Sequence, residues 1–265
     1  MGNKIKKTAA PDMAPESDGI LSAPGSGTLY VVPTPVGNLG DMTPRAVEVL
    51  RSVSLVLAED TRTSAVIMRH FDIDTPMASH HKFNEHTACA PVVDRLLSGE
   101  DVALVSDAGT PGISDPGFML SRECRRAGVP VVTLPGPTAF VPALVSSGLP
   151  CDRFFFEGFL PPKKGRATRL AEIAASEVSV IIYESPLRLV KTLEQLAAVC
   201  GEDREASVSR EISKKFEDTV RGTLRQLIVY FTANQPRGEI VIIVAPDKKQ
   251  DIPKVHSNKF RKAED

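Results

Sequence analysis

The sequence predicts an α/β protein of two domains, with a mainly parallel sheet in the N-terminal one. Three observations carry this. From Thr28 onward, short β-branched runs alternate with amphipathic segments, the pattern of strands and helices taking turns around a sheet. Loops rich in Gly and Pro follow several of those runs. Around Ser147–Arg153 the texture changes, where a helical segment closes on Gly148 and is followed by Pro150 and the aromatic run Phe154, Phe155, Phe156. At 265 residues the chain is long enough for two cores.

The elements follow in order. Strands are expected at Leu29–Val32, Leu55–Ala58, Val102–Val105 and Val131–Leu134. Thr43 before Pro44 opens a helix, because a hydroxyl satisfies free backbone N–H groups and Pro suits the first turn. Asp115 before Pro116 repeats that signal, and Leu120, Cys124 and Ala127 continue it at helical spacing, so SDPG is expected to start a helix. Another helix runs from about Thr138, in position to cap it, to Gly148. The second half reads as strand 153–159, basic helix 163–176, strand 178–183, helix 187–199, two strands, a helix, and a last strand 239–244. The expected organisation is a disordered arm (1–26), an N-terminal α/β domain (27–149), a C-terminal α/β domain (150–246) and a polar tail (247–265).

Composition excludes several classes. Lys and Arg number 32 against 33 for Asp and Glu, so any nucleic acid must be met by a local basic patch and not by bulk charge. Cys89, Cys124, Cys151 and Cys200 stand far apart with no CxxC pair, which argues against structural zinc and disulfides and for reduced, mostly buried thiols. The N-terminus lacks the apolar stretch of a signal peptide, and Lys6 sits where a myristoylation signal needs Ser or Thr. No apolar run approaches the roughly 20 residues of a membrane span. The expectation is a cytoplasmic protein.

Five loops carry unusual chemistry. TPVGNLGD (Thr34–Asp41) has Gly37 and Gly40 to turn amides toward a ligand, but it is neither a Walker loop nor GxGxxG. AEDTRTS (Ala58–Ser64) sets Glu59, Asp60 and Arg62 at a strand end, as a catalytic or positioning cluster or with Asp60 as a helix cap. HHKFNEH (His80–His86) lacks the HExxH spacing, so metal is not expected, and a polar surface touching an anionic substrate is the more economical reading. SDAGTPGISDPG (Ser106–Gly117) and LPGPTAF (Leu134–Phe140) follow strands and are suited to wall a pocket at the carboxyl ends of a sheet, where ligands of open α/β folds settle. In the second half, YESPLR (Tyr183–Arg188) and REISKKFED (Arg210–Asp218) add further acid and basic groups.

In this order, TPVGNLGD, AEDTRTS, HHKFNEH, SDAGTPGISDPG, LPGPTA, FEGFLP, YESPLR, REISKKFE and GEIVI resemble the tetrapyrrole methylase superfamily of S-adenosylmethionine enzymes, in the branch that methylates small-subunit ribosomal RNA. The resemblance runs from about Thr28 to Ala245. It implies a tetrapyrrole methylase-like fold with a mixed C-terminal sheet and flanking helices, a cofactor held in the cleft between two domains, and a homodimer. It implies transfer of a methyl group from S-adenosylmethionine to the ribose 2′-hydroxyl of a cytidine in the decoding region of 16S ribosomal RNA, on free RNA or the small subunit, without metal. Carried onto this chain, the cofactor residues are Pro35, Gly37, Asp107, Ala108, Gly109, Thr110, Ser114, Thr138 and Ala139, with Phe159 and Tyr183 closing from the second domain. Where tetrapyrrole-modifying relatives carry a GDP triplet, this chain has Ser114, Asp115, Pro116.

A ribose hydroxyl is a poor nucleophile at neutral pH, so either a base takes its proton or positioning carries the step. Glu59, Asp60 and Glu184 are candidate bases, with Lys82 an outside one if burial lowers its pKa. RNA phosphates call for cations at the cleft mouth, and Arg62, Lys82, Arg188, Arg210 and the cluster Lys163, Lys164, Arg166, Arg169 fit that demand. That cluster favours RNA over a tetrapyrrole or modified-histidine substrate, and the intact glycine loops disfavour a non-catalytic RNA-binding module.

Overall fold

The computed structural model describes residues 23–81 and 85–247. The first sheet holds β1 (Leu29–Val31), β2 (Leu55–Ala58), β3 (Met77–Ser79), β4 (Val102–Val105) and β5 (Val131–Thr133), in the order β3-β2-β4-β1-β5 with every pair parallel. β2 and β4 are buried at every residue, which is why they read as unbroken apolar runs and not as alternating ones. Side chains of one strand point alternately to opposite faces. Val56, Ala58, Ala103 and Val105 therefore pack under α1 (Pro44–Ser52) and α2 (Thr61–His70), while Leu55, Leu57, Val102 and Leu104 pack under α3 (Glu85–Leu97) and α4 (Phe118–Arg126). β3 escaped the sequence reading because it is a three-residue edge strand without a β-branched side chain.

The second sheet holds β6 (Phe154–Phe159), β7 (Ser179–Glu184), β8 (Glu205–Arg210), β9 (Asp218–Thr223) and β10 (Ile240–Val244), ordered β6-β7-β10-β8-β9. β6 and β7 are parallel and the other pairs antiparallel, so the sheet is mixed. One face is covered by α6 (Arg166–Ala174), α7 (Leu189–Cys200) and α8 (Leu224–Ala233), through Leu170, Leu193, Leu196, Leu227 and Phe231. The opposite face is covered by α5 (Phe140–Ser147), the helix that follows β5 in the chain: Ala143 and Leu144 pack with Ile181, Val241 and Ile243 of the second sheet. Arg221 of β9 fastens that helix by donating from Nε to the Ser146 carbonyl at 2.8 Å.

Local chemistry explains three of the α-helix starts. Thr43 accepts from the Ala46 amide at 3.2 Å, Asp60 from the Arg62 amide at 2.8 Å, and Thr223 with Gln226 forms a reciprocal capping box on α8. Three expectations are corrected. Asp115 does not cap α4, which starts later, at Phe118; its first amides are met by the distant Glu85, whose Oε1 accepts from Gly117 at 3.0 Å and Met119 at 3.1 Å. Thr138 does not cap α5, whose first turn follows Ala139 without a side-chain cap. The basic helix begins at Arg166, leaving Lys163 and Lys164 in the preceding loop.

Residues 23–26, expected in a loose arm, and Gly27 are tied to the first sheet's periphery: the Ala23 amide donates to the Gly128 carbonyl and the Gly27 amide to the Leu96 carbonyl. Cys89 and Cys124 are buried as expected, Cys200 is half-buried, and Cys151 is exposed. The remainder of the arm, the tail beyond Asp247 and Lys82 lie outside the described residues. No described helix is long and apolar enough to cross a membrane.

Gly117 sits at φ +129°, and a Cβ there would lie 2.7 Å from Cδ2 of the buried Leu104. Gly117→Ala is therefore expected to cost about 2–3 kcal/mol in urea unfolding, from backbone strain and overpacking together.

A candidate cofactor cleft between the two sheets

Three loops leave the carboxyl ends of the neighbouring strands β4, β1 and β5 and are bonded to one another before any ligand is considered. Thr34 and Gly109 exchange both backbone hydrogen bonds at 2.9 Å. The buried Thr34 hydroxyl donates to the Ser106 carbonyl at 3.0 Å, and the Thr110 hydroxyl to the Pro137 carbonyl at 3.3 Å. Gly109 needs its φ of +79°, while Ser114 adopts a left-handed φ of +67° without being glycine. Strain of that kind persists only where the surroundings impose it.

These loops form one wall of a cavity of about 370 Å³, within the range of small-molecule sites, with Val36, Ala108, Gly109, Thr110, Ile113, Ser114, Asp115, Thr138, Ala139 and Phe140 facing in. The second sheet supplies the other wall through Phe159, Tyr183, Glu184, Ser185, Pro186, Ile212 and the stretch Gly238–Val241. Phe159 and Tyr183 meet edge to face with centroids 5.5 Å apart, and Phe156 supports Tyr183 at 5.2 Å. β6 bulges between Phe156 and Gly158, which brings Gly158 so close that a Cβ on it would lie 3.0 Å from the Ser114 hydroxyl across the cleft. A wider, more open recess of about 780 Å³ adjoins the cavity and shares Val36, Thr110, Thr138 and Ile212 with it.

A second bridge crosses the cleft at the loop after β8. The Ser213 hydroxyl donates to the Asp41 carboxylate, and the stem of Lys214 lies over Gly37, where a Cβ would meet it at 2.3 Å. Lys214 is itself pinned by Glu211 at 3.0 Å and Glu239 at 3.3 Å.

The cleft is acidic on one side. Burial, with Glu59 and Asp107 nearby, lifts the Asp115 carboxyl to about 7. Burial likewise raises Glu59 and Asp107 above the usual carboxylate range, each reinforced by a neighbouring acid. Asp60 goes the other way: hydrogen bonds from Arg62 hold it down to about 2. Burial and the nearby Asp115 push the Tyr183 phenol up to about 12.

Of the residues expected at the cofactor, Ala108, Gly109, Thr110, Ser114, Thr138, Ala139, Phe159 and Tyr183 line the cavity. Three are not in its lining: Pro35 is buried, Gly37 lies under Lys214, and Asp107 accepts from the Asp60 amide at 3.1 Å. Sequence reasoning missed Val36, Ile113, Asp115, Phe140 and Ile212 in the loops it had singled out, and Ile240 and Val241 in the second sheet. Ile240 and Val241 were legible as a strand, but which wall that strand would form depends on its central position.

The candidate bases differ in their surroundings. Glu184 is buried and fully engaged, accepting from the Ser185 amide, the Thr192 hydroxyl and the Arg188 guanidinium, each at 2.7 Å. Asp60 caps α2 and holds Arg62, and Glu59 lies outside the cavity wall.

Among the cations, Lys163 and Lys164 are exposed in their loop. Arg166 is corrected: it is buried, donating to Gln195 at 2.8 Å and Thr192 at 2.7 Å beside Glu184, so it has no surface to offer RNA. Arg62, Arg169, Arg188 and Arg210 are paired with Asp60, Glu172, Glu184 and Asp218 respectively. Among the described residues no group of His, Cys, Asp and Glu is placed to hold a metal ion.

Two α/β layers gripping a ligand cleft between carboxyl-end loops and a mixed second sheet define a two-lobed methyltransferase architecture, and the profile described as Tetrapyrrole (Corrin/Porphyrin) Methylases matches residues 28–228. The chain belongs to that family. Within it, the chain is 47% identical over 89% of its length to the Ribosomal RNA small subunit methyltransferase I of Synechocystis sp., covering 85% of that protein. It is 49% identical over 83% of its length to the protein of the same name from Vibrio cholerae, covering 77% of it. Among solved structures, the methyltransferase CobJ superposes with a TM-score of 0.64 at 20% identity, over 83% of this chain and 95% of that one, a likeness of fold.

Because Arg166 joins a buried polar network, Arg166→Ala is expected to cost about 3 kcal/mol in urea unfolding, leaving Glu184 and Thr192 short of a partner. Lys163→Ala, three residues away but exposed, is expected to stay within about 0.5 kcal/mol of the unaltered chain.

Proposed function

We propose that this chain transfers a methyl group from S-adenosylmethionine to the ribose 2′-hydroxyl of a cytidine in the decoding region of 16S ribosomal RNA, as a cytoplasmic homodimer. The observation that carries this reading is near-half identity, over more than four-fifths of the chain, to proteins named Ribosomal RNA small subunit methyltransferase I. The cleft is compatible with the donor. Phe159 and Tyr183 offer aromatic edges to a flat base, and the glycine loops offer backbone amides and carbonyls to an amino-acid end. The carboxylates on the cavity wall, Glu184 and Glu239 among them, complement a cation.

S-adenosylmethionine supplies an electrophilic methyl group on a sulfonium sulfur. The chain's contribution is to exclude water, to fix the hydroxyl in line with that methyl group and to receive the hydroxyl proton. The loops bonded through Thr34, Gly109, Thr110 and Pro137 are suited to the positioning role, because they are held by one another and lose little freedom when a ligand binds. RNA contact falls to Lys163 and Lys164, with Arg62, Arg169, Arg188 and Arg210 available at the price of their present partners.

The test is methyl transfer from labelled S-adenosylmethionine to assembled small subunits and to naked 16S RNA. The product is then hydrolysed in alkali. A ribose 2′-O-methyl group removes the nucleophile that alkaline cleavage requires, so one resistant dinucleotide beginning with cytidine is expected. Label that appears on a base, or no transfer to either substrate, overturns the reading. Lys163→Glu with Lys164→Glu is expected to weaken RNA binding roughly 3- to 10-fold at low salt, with the gap narrowing as salt rises, while donor affinity by calorimetry stays unchanged.

A further inference from the structure

We propose that the end of the second sheet nearest the cleft is a track for single-stranded RNA, and that Phe216 is its stacking platform, holding an unpaired base beside the nucleotide that is methylated. This rests on the methyl-transfer reading above and adds to it a residue and the state of the RNA. Strand register places the track. Phe159 of β6 pairs with Tyr183 of β7, and Ile240 of β10 pairs with Glu184 of β7 and Arg210 of β8, so the ends of β6, β7 and β8 lie beside the start of β10. With neighbouring strands about 4.8 Å apart, the loops at this end span roughly 14 Å. The loop after β6 carries Lys163 and Lys164, the turn before β10 carries Arg237, and the loop after β8 carries Lys215. All four are exposed and form no ion pair among the described residues. The acids here are mostly matched: Glu184 by Arg188, Glu211 and Glu239 by Lys214, and Asp218 by Arg210. Glu217 accepts from the Ser213 amide at 2.7 Å. The surplus left open is positive.

Phe216 stands in the same row. It is 65% exposed, with the Lys215 ammonium 5.5 Å from its ring centroid. The loop that carries it is held at both ends. Glu211 and Ser213 are left-handed, at φ +51° and +67°, without being glycine. The Lys214 amide donates to the Glu211 carbonyl at 2.9 Å, and the Glu217 amide to the Lys214 carbonyl at 3.1 Å. Ser213 is tied to Asp41 across the cleft, and Lys214 is pinned by Glu211 and Glu239. A loop so fastened presents the ring to solvent instead of folding it inward. Ser213 and Glu217 border the open recess, and Ile212 borders both that recess and the cofactor cavity, so the ring stands at the rim of the site.

An exposed aromatic ring among unpaired cations matches the chemistry of a single strand, whose bases offer flat faces and whose phosphates need positive charge. In an A-form duplex the bases are stacked on one another and offer no free face, so Phe216 favours a strand whose bases are splayed out. A second copy of this chain fits the surface poorly. An isologous contact would set the patch against itself and bring Lys163, Lys164, Lys215 and Arg237 toward their own copies.

The test is fluorescence anisotropy with a cytidine-containing single-stranded RNA of about 16 nucleotides, and with the same strand annealed to its complement. The unaltered chain is expected to bind the single strand about 10-fold tighter than the duplex at equal salt. Phe216→Ala is expected to raise Kd for the single strand about 10-fold and Phe216→Trp to stay within about 3-fold, neither changing the slope of log Kd against log salt. Lys215→Gln, by contrast, is expected to lower that slope by about 0.7, the share of one phosphate on a single strand. Val229→Ala, which trims an apolar side chain 67% exposed on α8, is the control and leaves Kd unchanged. In methyl transfer to assembled small subunits, Phe216→Ala is expected to raise KM for the RNA and to leave kcat and donor Kd unchanged. Duplex bound as tightly as single strand, no binding to the single strand, or an unchanged Kd for Phe216→Ala overturns the proposal. A change of oligomeric state in Phe216→Ala by sedimentation overturns it too, making the face a contact between copies. Should Phe216→Ala not fold, Phe216→Leu, apolar but without a ring face, must bind more weakly than Phe216→Trp for the assignment to stand. Absence of methyl transfer by the unaltered chain, with its single-strand preference and the Phe216 effect intact, is the failure of the broader reading alone.

Discussion

Helix α5 emerges from the last strand of the first sheet, yet Ala143 and Leu144 are buried against Ile181, Val241 and Ile243 of the second. A helix that stayed on its own sheet would have covered β5 and left the two sheets joined only by a linker. Because this one crosses over, the segment before it, Leu134–Ala139, is stretched between the sheets and becomes part of the cleft wall. The cleft is thus a by-product of where an apolar helix face finds its partner, and its width follows from side-chain packing under α5 and from the Arg221–Ser146 fastening.

On this frame the loops have little freedom. Backbone pairing between Thr34 and Gly109, and the hydroxyl bonds of Thr34 and Thr110, tie the carboxyl ends of β1, β4 and β5 into one surface. The topology makes that possible, since β1 lies between β4 and β5 and their loops emerge side by side. The bridge through Ser213 and Lys214 adds a second tie from the other sheet, so opening the cleft means breaking the Ser213–Asp41 hydrogen bond and lifting the Lys214 stem off Gly37. A preorganised site of this kind spends its ordering cost during folding and not on ligand binding.

The carboxylates show how the fold divides similar groups among different tasks. Glu85 closes a helix terminus, Glu184 centres a buried network with Arg166, Arg188 and Thr192, Asp60 is neutralised by Arg62, and Asp115 is left with burial and like charges for company. Burial makes Asp115 costly to ionise at neutral pH, and like Glu184 it lines the cavity.

The sequence by itself determined the alternation of elements, the parallel first sheet, and the loops that would face a ligand, because each depends on local chemistry: apolar runs, Thr43 before Pro44, glycines after strands. It also marked the first-sheet loops of the cavity wall, Ser106–Gly117 and Leu134–Phe140, for the same reason. Long-range pairing was out of its reach. Asp115 beside Pro116 has the local signature of a cap, and nothing within the stretch reveals that Glu85, 32 residues before Gly117, takes that place. Arg166 belongs by composition to a basic surface, and only the packing of α6 against α7 turns it inward to Gln195 and Thr192. Tertiary structure decided which polar groups found partners and which were left open, since that depends on what comes to lie opposite each side chain after the chain has folded.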